Sequence, residues 1–188
     1  MATVILLILL GIIIATVVYV IIIYNGLINL KHNIEKTWSN IDVLLKQRYD
    51  ELPKLVSVCE GYMQHERAVL ENVTKARSQL DSASSGGEVL DANNAITSAL
   101  RSLFAVVENY PDLKADKAFR QLQSRITQLE DQIADRRELY NSSVNIFNIR
   151  IEQFPDIFVA NMMRLTPRRL WQIEPAHRED VAIRFSQA

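Results

Sequence analysis

The sequence predicts an all-α protein: an N-terminal transmembrane helix followed by an elongated antiparallel bundle of long helices. Three observations carry that prediction. Residues 1–24, MATVILLILLGIIIATVVYVIIIY, contain no charged side chain, and about 20 apolar residues suffice to cross the hydrocarbon core of a bilayer. Beyond them, apolar residues recur at steps of three and four, the period of a helix with one buried face. Glycine and proline number only five each in 188 residues, so turns are few, and the alternation that marks strands is nearly absent.

The apolar run reads as a retained anchor. A cleaved signal peptide wants a basic start, a shorter apolar stretch and an A-x-A-like site, and residues 1–24 offer none of these. A buried core helix is disfavoured too, because no other segment is apolar enough to surround it. Gly11 and Ala15 share one helix face, a small-xxx-small spacing that lets two helices approach, so they are the candidate self-association positions. Tyr24 fits the interfacial aromatic belt, with His32 at headgroup level. No Lys or Arg precedes the run, while Lys31, Lys36, Lys46 and Arg48 follow it. That asymmetry predicts a cytoplasmic C-terminal domain on a single-pass protein of the inner cell membrane.

The first helix beyond the anchor carries Ile34, Trp38, Ile41, Leu45, Tyr49, Leu52, Val56, Cys59, Met63, Leu70, Val73 and Leu80 on its stripe. Pro53 falls inside it. An interior proline removes one helix hydrogen bond, yet the phase of the stripe does not slip there, so one kinked, continuous helix is expected. Residues 82–87, SASSGG, form the clearest break. A second helix runs over about residues 88–109, with Val89, Ala92, Ile96, Leu100 and Leu103 on its stripe. Tyr110 and Pro111 mark the next turn. A third helix starts between Asp112 and Asp116, carries Phe119, Leu122, Ile126, Leu129, Ile133, Tyr140, Val144, Phe147 and Ile151, and stops at Phe154 and Pro155. At a rise of 1.5 Å per residue, roughly 40 residues make it about 60 Å long. A short helix over residues 157–165 follows, with Phe158, Met162 and Leu165 on one face. Val181, Ile183 and Phe185 then alternate as in an extended segment. The domains are therefore an anchor (1–24), a helical bundle (25–155), and a short helix with a C-terminal tail (156–188).

Chemistry is hard to find. The net formal charge of −1 gives no basic footprint for nucleic acid. His32, His65 and His177 form no HExxH pair, and the lone Glu-x-x-His spacing, Glu174 to His177, encloses a proline. No metal or other cofactor is expected. Cys59 has no partner for a disulfide, and it lies on the apolar stripe, where a free thiol behaves as a small hydrophobe. No phosphate-binding glycine loop or nucleophile elbow occurs. Asp42, Lys46, Arg48, Arg67, Arg136 and Arg137 can form ion pairs between helices, but exposed charges of this kind are worth little singly.

Several long strings resemble the LemA family. They are YNGLINLKHNIEKTWSNIDVLLKQRYDELPKLV (24–56), GYMQHERAVLENVTKAR (61–77) and AVVENYPDLKADKAFRQLQSRITQLEDQIADRRELYNSSVNIFNIRIEQFP (105–155). The positions within them that match the family motifs are Tyr24, Asn25, Trp38, Ile41, Asp42, Leu45, Arg48, Pro53, His65, Glu66, Arg67, Tyr110, Pro111, Tyr140, Asn141 and Pro155. The resemblance implies a bacterial protein with one membrane helix and a helical bundle, without established enzymatic activity. No catalytic residues carry over. From residue 171 onward the chain departs from the family's pattern.

The expected function is a non-enzymatic scaffold or interaction protein at the bacterial membrane. Its expected partners are the lipid bilayer, further copies of itself and other membrane proteins. One alternative is an adaptor or regulatory subunit of a membrane enzyme such as a protease. A metal-dependent enzyme is the other.

Overall fold

A computed structural model describes residues 1–172. The alternating segment at Val181, Ile183 and Phe185 and the Glu174–His177 spacing lie outside the described residues. Among the described residues six helices follow in order: α1 (Ala2–Glu60), α2 (Arg67–Ser82), α3 (Gly86–Val107), α4 (Pro111–Ala115), α5 (Lys117–Glu152) and α6 (Asp156–Met162). No strand occurs among the described residues, and the all-α class stands.

The helices form two compact units, and α1 and α5 contribute to both. The first unit comprises Met1–Leu44 and Asp131–Leu170. Its core gathers Ile23, Leu27 and Ile34 from α1, Val144, Phe147 and Ile151 from α5, and Val159 and Ala160 from α6. Two contacts show that α1 and α5 run antiparallel here. Asn33 Nδ2 donates to Ser143 Oγ at 3.1 Å, and five residues further along α1 the Trp38 ring meets Tyr140, centroids 5.6 Å apart.

Within this unit α1 passes Tyr24 without a break. Its apolar stretch has a mean hydropathy of 3.3 over 18 residues, none of them buried, and is long and apolar enough to cross a membrane. Burial begins at Ile23, 3% exposed, and Leu27, fully enclosed.

The second unit comprises Leu45–Glu130, joined by Trp171 and Gln172. Its core includes Leu52, Leu55, Cys59, Met63, Leu70, Val73, Ile96, Leu100, Leu103, Leu113, Phe119 and Ile126. Pro53 sits inside α1, as the unbroken phase of the stripe predicts. Pro53 is exposed while Leu52 and Leu55 are buried, so the ring disturbs the solvent side rather than the core.

The continuous helix expected up to Leu80 is corrected. α1 stops at Glu60, and α2 begins at Arg67. The chain reverses through Gly61 and Tyr62, where the N–H groups of Tyr62 and Met63 both donate to the Cys59 carbonyl, at 3.0 and 2.8 Å. α2 then runs back along α1: Tyr49 Oη donates to Asp81 Oδ1 at 2.6 Å, and the Arg77 guanidinium lies 4.2 Å from the Tyr49 ring. The apolar period survives the turn because both arms of the hairpin face one core.

The break in residues 82–87 is as expected, and it is also a cap. Ser85 accepts from Glu88 N at 3.2 Å, and the Glu88 carboxylate accepts from Ser85 N at 3.1 Å, a reciprocal capping box at the start of α3. The expected third helix is divided. Asp116, in an extended conformation, separates α4 from α5, and its Oδ1 accepts from Phe119 N at 2.9 Å, capping α5. α6 is shorter than expected, and its inward residues are Val159 and Ala160. Phe158 and Met162 point outward.

Candidate functional site

Among the described residues, the most enclosed polar constellation belongs to Arg48. Its position on the apolar phase of α1, between Leu45 and Leu52, carries the guanidinium into the second unit, where it is 1% exposed. Nη1 donates to Glu130 Oε1 at 2.5 Å and to Thr97 Oγ1 at 2.9 Å. Nη2 donates to Asn93 Oδ1 at 2.6 Å. Thr97 in turn donates to Glu130 Oε2 at 2.9 Å, and Asn93 Nδ2 donates to the Val89 carbonyl at 2.8 Å, which aims its oxygen at the arginine. Three helices are thereby tied through one cation. Only Nε finds no acceptor among the described residues. A buried ion pair returns its desolvation cost only with good geometry and further hydrogen bonds, and this one has both. With Nη1 and Nη2 both committed internally, Arg48 acts as a structural clamp.

Arg48 is the one motif position at the centre of such a network. Its partners Asn93, Thr97 and Glu130 were missed. Two left a signal in the sequence: Asn93 lies three residues before Ile96, and Glu130 falls between Ile126 and Ile133. A polar residue in apolar phase on each of three helices is the mark of a shared buried contact. Lys46, by contrast, pairs within its own helix, with Asp50 at 2.9 Å.

The structure brings together a second group of motif positions at the α1–α2 turn. Tyr110 Oη donates to Glu66 Oε1 at 3.4 Å, beside Pro111 at the first turn of α4. Burial, then the Glu66 carboxylate, holds the Tyr110 phenol above its usual value. Tyr62 Oη donates to Asp116 Oδ2 at 3.1 Å. The Phe119 N–H, followed by this phenol, holds Asp116 below the usual carboxylate value. His65 and Arg67 are exposed beside this knot.

Along α1 and α2 lies a groove of about 650 Å³. Its apolar lining is Val56, Met63 and Leu70, and the charges along it are Glu60, Arg67, Glu71 and Lys75. A smaller hollow of about 200 Å³ shares Val56, Glu60 and Thr74 with it and reaches Pro53 and Arg77.

The remaining motif positions are scattered. In the first unit Trp38 packs on Tyr140, whose Oη donates to the Arg169 carbonyl at 3.3 Å. Tyr24, Asn25 and Asp42 are exposed, and Asn141 is half-buried. Pro155 follows a cis peptide bond and precedes α6. Gly11 and Ala15 are exposed on the bare stretch of α1, and a Cβ added at Gly11 would meet nothing within 4 Å. Among the described residues no three His, Cys, Asp or Glu side chains stand together as metal ligands. Cys59 is fully buried, and that burial pushes its thiol up to about 12, the reverse of what a nucleophile needs.

A bare apolar helix able to span a bilayer, continuous with packed helices, defines a membrane-associated helical protein. The chain belongs to the LemA family, whose model matches residues 37–185. Protein LemA of Metamycoplasma hominis is 32% identical over 161 residues, spanning 84% of this chain and 72% of that protein. Magnetosome protein MamQ 2 of Paramagnetospirillum magneticum is 23% identical over 179 residues, spanning 81% of this chain and 66% of its own length. Magnetosome protein MamQ of Magnetospirillum gryphiswaldense is 22% identical over 163 residues, spanning 73% and 60%. The chain thus covers less than two thirds of these MamQ proteins.

Proposed function

We propose that this protein is a non-enzymatic scaffold, held at the inner face of a bacterial cell membrane by the N-terminal part of α1. The observation that carries this reading is the use made of its polar groups. Arg48, the one deeply buried cation among the described residues, ties helices together, and the one cysteine is buried with a raised thiol. What the chain offers outward is surface on a tether, and tethering raises the effective concentration of membrane partners. The Lys and Arg bias after the span supports a cytoplasmic placement. Gly11 and Ala15 supply a face on which spans from two copies can pack.

Light scattering of the full chain in mild detergent tests self-association. The expected result is a mass above the monomer that falls on Gly11→Ile substitution, and a monomer at every concentration overturns the oligomeric scaffold. Protease digestion of spheroplasts tests sidedness, and cleavage of the helical domain from outside overturns the cytoplasmic placement.

The groove along α1 and α2 favours a second reading, an adaptor for a membrane enzyme. Its apolar lining between charges of both signs suits an amphipathic helix or peptide. Crosslinking in native membranes from a probe at Glu71 separates the two readings: capture of a membrane enzyme supports the adaptor, and capture of this chain alone supports the scaffold.

A further inference from the structure

The first unit places an unpartnered apolar edge where the span ends. Phe154, Phe158 and Met162 are spaced four residues apart and are 75%, 67% and 69% exposed. The two rings meet edge to face, centroids 5.9 Å apart. Large apolar side chains clustered on a surface mark a contact site rather than chance exposure.

The position of this edge names its occupant. Val159 and Ala160, on the inner side of α6, share a core cluster with Ile23 and Leu27 of α1. Ile23 lies inside the uncharged run of residues 1–24, so protein already covers the final turn of the segment that would cross the bilayer. About 20 residues at 1.5 Å each span the hydrocarbon core, which brings Ile23 and Leu27 to the boundary between acyl chains and headgroups. α6 packs at that depth. It is also held there: buried Asp156, at its first turn, accepts from Arg150 Nε. Around it, residues 150–169 carry four arginines against two carboxylates, a balance that suits anionic headgroups.

We propose that Phe154, Phe158 and Met162 form a second membrane contact, seated in the headgroup–acyl boundary of the bilayer that α1 crosses. Aromatic and apolar side chains flanked by arginine are the composition of an interfacial element. The contact makes the first unit a two-point attachment: a span, and a foot beside it. It rests on the reading of α1 as a membrane span.

The test is site-directed spin labelling of the full chain in vesicles of phosphatidylethanolamine and phosphatidylglycerol. Labels go at Phe158→Cys, with Met162→Cys as a second variant. Both side chains are exposed, so the core is left intact. Cys59 stays in place, because its side chain is enclosed. Gln128→Cys, exposed in the second unit, serves as the water reference, and Ile14→Cys as the hydrocarbon reference. The expected result at 158 and 162 is several-fold more collision with oxygen relative to a nickel chelate than at 128. Nickel accessibility equal to that at 128 overturns the proposal. So does shielding from both reagents with dipolar broadening between labels, which would place a second copy on this edge. If Ile14→Cys also reads water, the span reading fails, and this inference fails with it. If Ile14→Cys reads hydrocarbon while 158 and 162 read water, the second contact alone is lost.

Discussion

Arg48 and Glu130 meet at 2.5 Å across α1 and α5, and the two ends of that bond differ. The Arg48 side chain is 1% exposed and the Glu130 side chain 23%. Arg48→Ala empties a buried site and removes the donor that Glu130, Thr97 and Asn93 share. Arg48→Ala is therefore expected to destabilise the protein by about 3–5 kcal/mol. Glu130→Gln keeps a hydrogen-bond acceptor for the guanidinium and has water at its edge, so it should cost about 1–2 kcal/mol. Denaturant unfolding of the detergent-solubilised chain followed by circular dichroism measures both. Equal losses would show that the environment of the pair is not asymmetric.

Pro53→Ala should stabilise the protein, by about 1–3 kcal/mol. The substitution returns the N–H that the Tyr49 carbonyl lacks in α1 and removes the ring that pushes on the preceding turn. The site is exposed, so no packing is lost. The unfolding midpoint reports it, and a lower midpoint would mean that the proline itself is needed to seat α2 along α1.

Cys59 is expected to resist thiol reagents at neutral pH in the folded protein and to react fully after denaturation. Its side chain is enclosed and its thiol is raised to about 12, so thiolate is nearly absent. A colorimetric thiol titration with and without denaturant suffices. Prompt labelling of the folded chain would mean that the α1–α2 hairpin opens readily.

Asp116 gives stability a pH dependence. Its folded-state value lies below the ordinary 3.8, through the Phe119 N–H first and the Tyr62 hydroxyl second. The cap it provides is thus fully present above 3.8 and is lost as pH falls through the lower folded value. Asp116→Asn should lower the unfolding midpoint at neutral pH, and the gap from the native chain should close in acid. Midpoints measured across the acid range check this, and a gap constant with pH would remove Asp116 as its source.

Helix existence was legible because the apolar period is long and clean, from Leu45 to Cys59 and from Phe119 to Ile151. Direction was not. The period carries on from Cys59 to Leu80 although the chain turns at Gly61, because a hairpin presents both arms to one core. Gly61 is the residue at which the turn is made, and the stripe runs evenly on either side of it. The buried clamp was half visible: Arg48 is a family-motif position, and Asn93 and Glu130 stand in apolar phase, but their meeting is plain only once the helices are placed side by side. At α6 the residues were found but not the face turned outward, since seven residues hold too few turns for a period to decide.

The unbroken passage of α1 past Tyr24 has a mechanical consequence for the first unit. A protein on a loose linker is indifferent to the membrane it hangs from. Here the span and the packed turns at Leu27 and Ile34 share one stiff backbone, so any tilt the span adopts to match bilayer thickness must be followed by the helices packed on it. The anchor then behaves as an axle: the lipid sets its lean, and the Asn33–Ser143 and Trp38–Tyr140 contacts carry that lean into the packed helices of the unit.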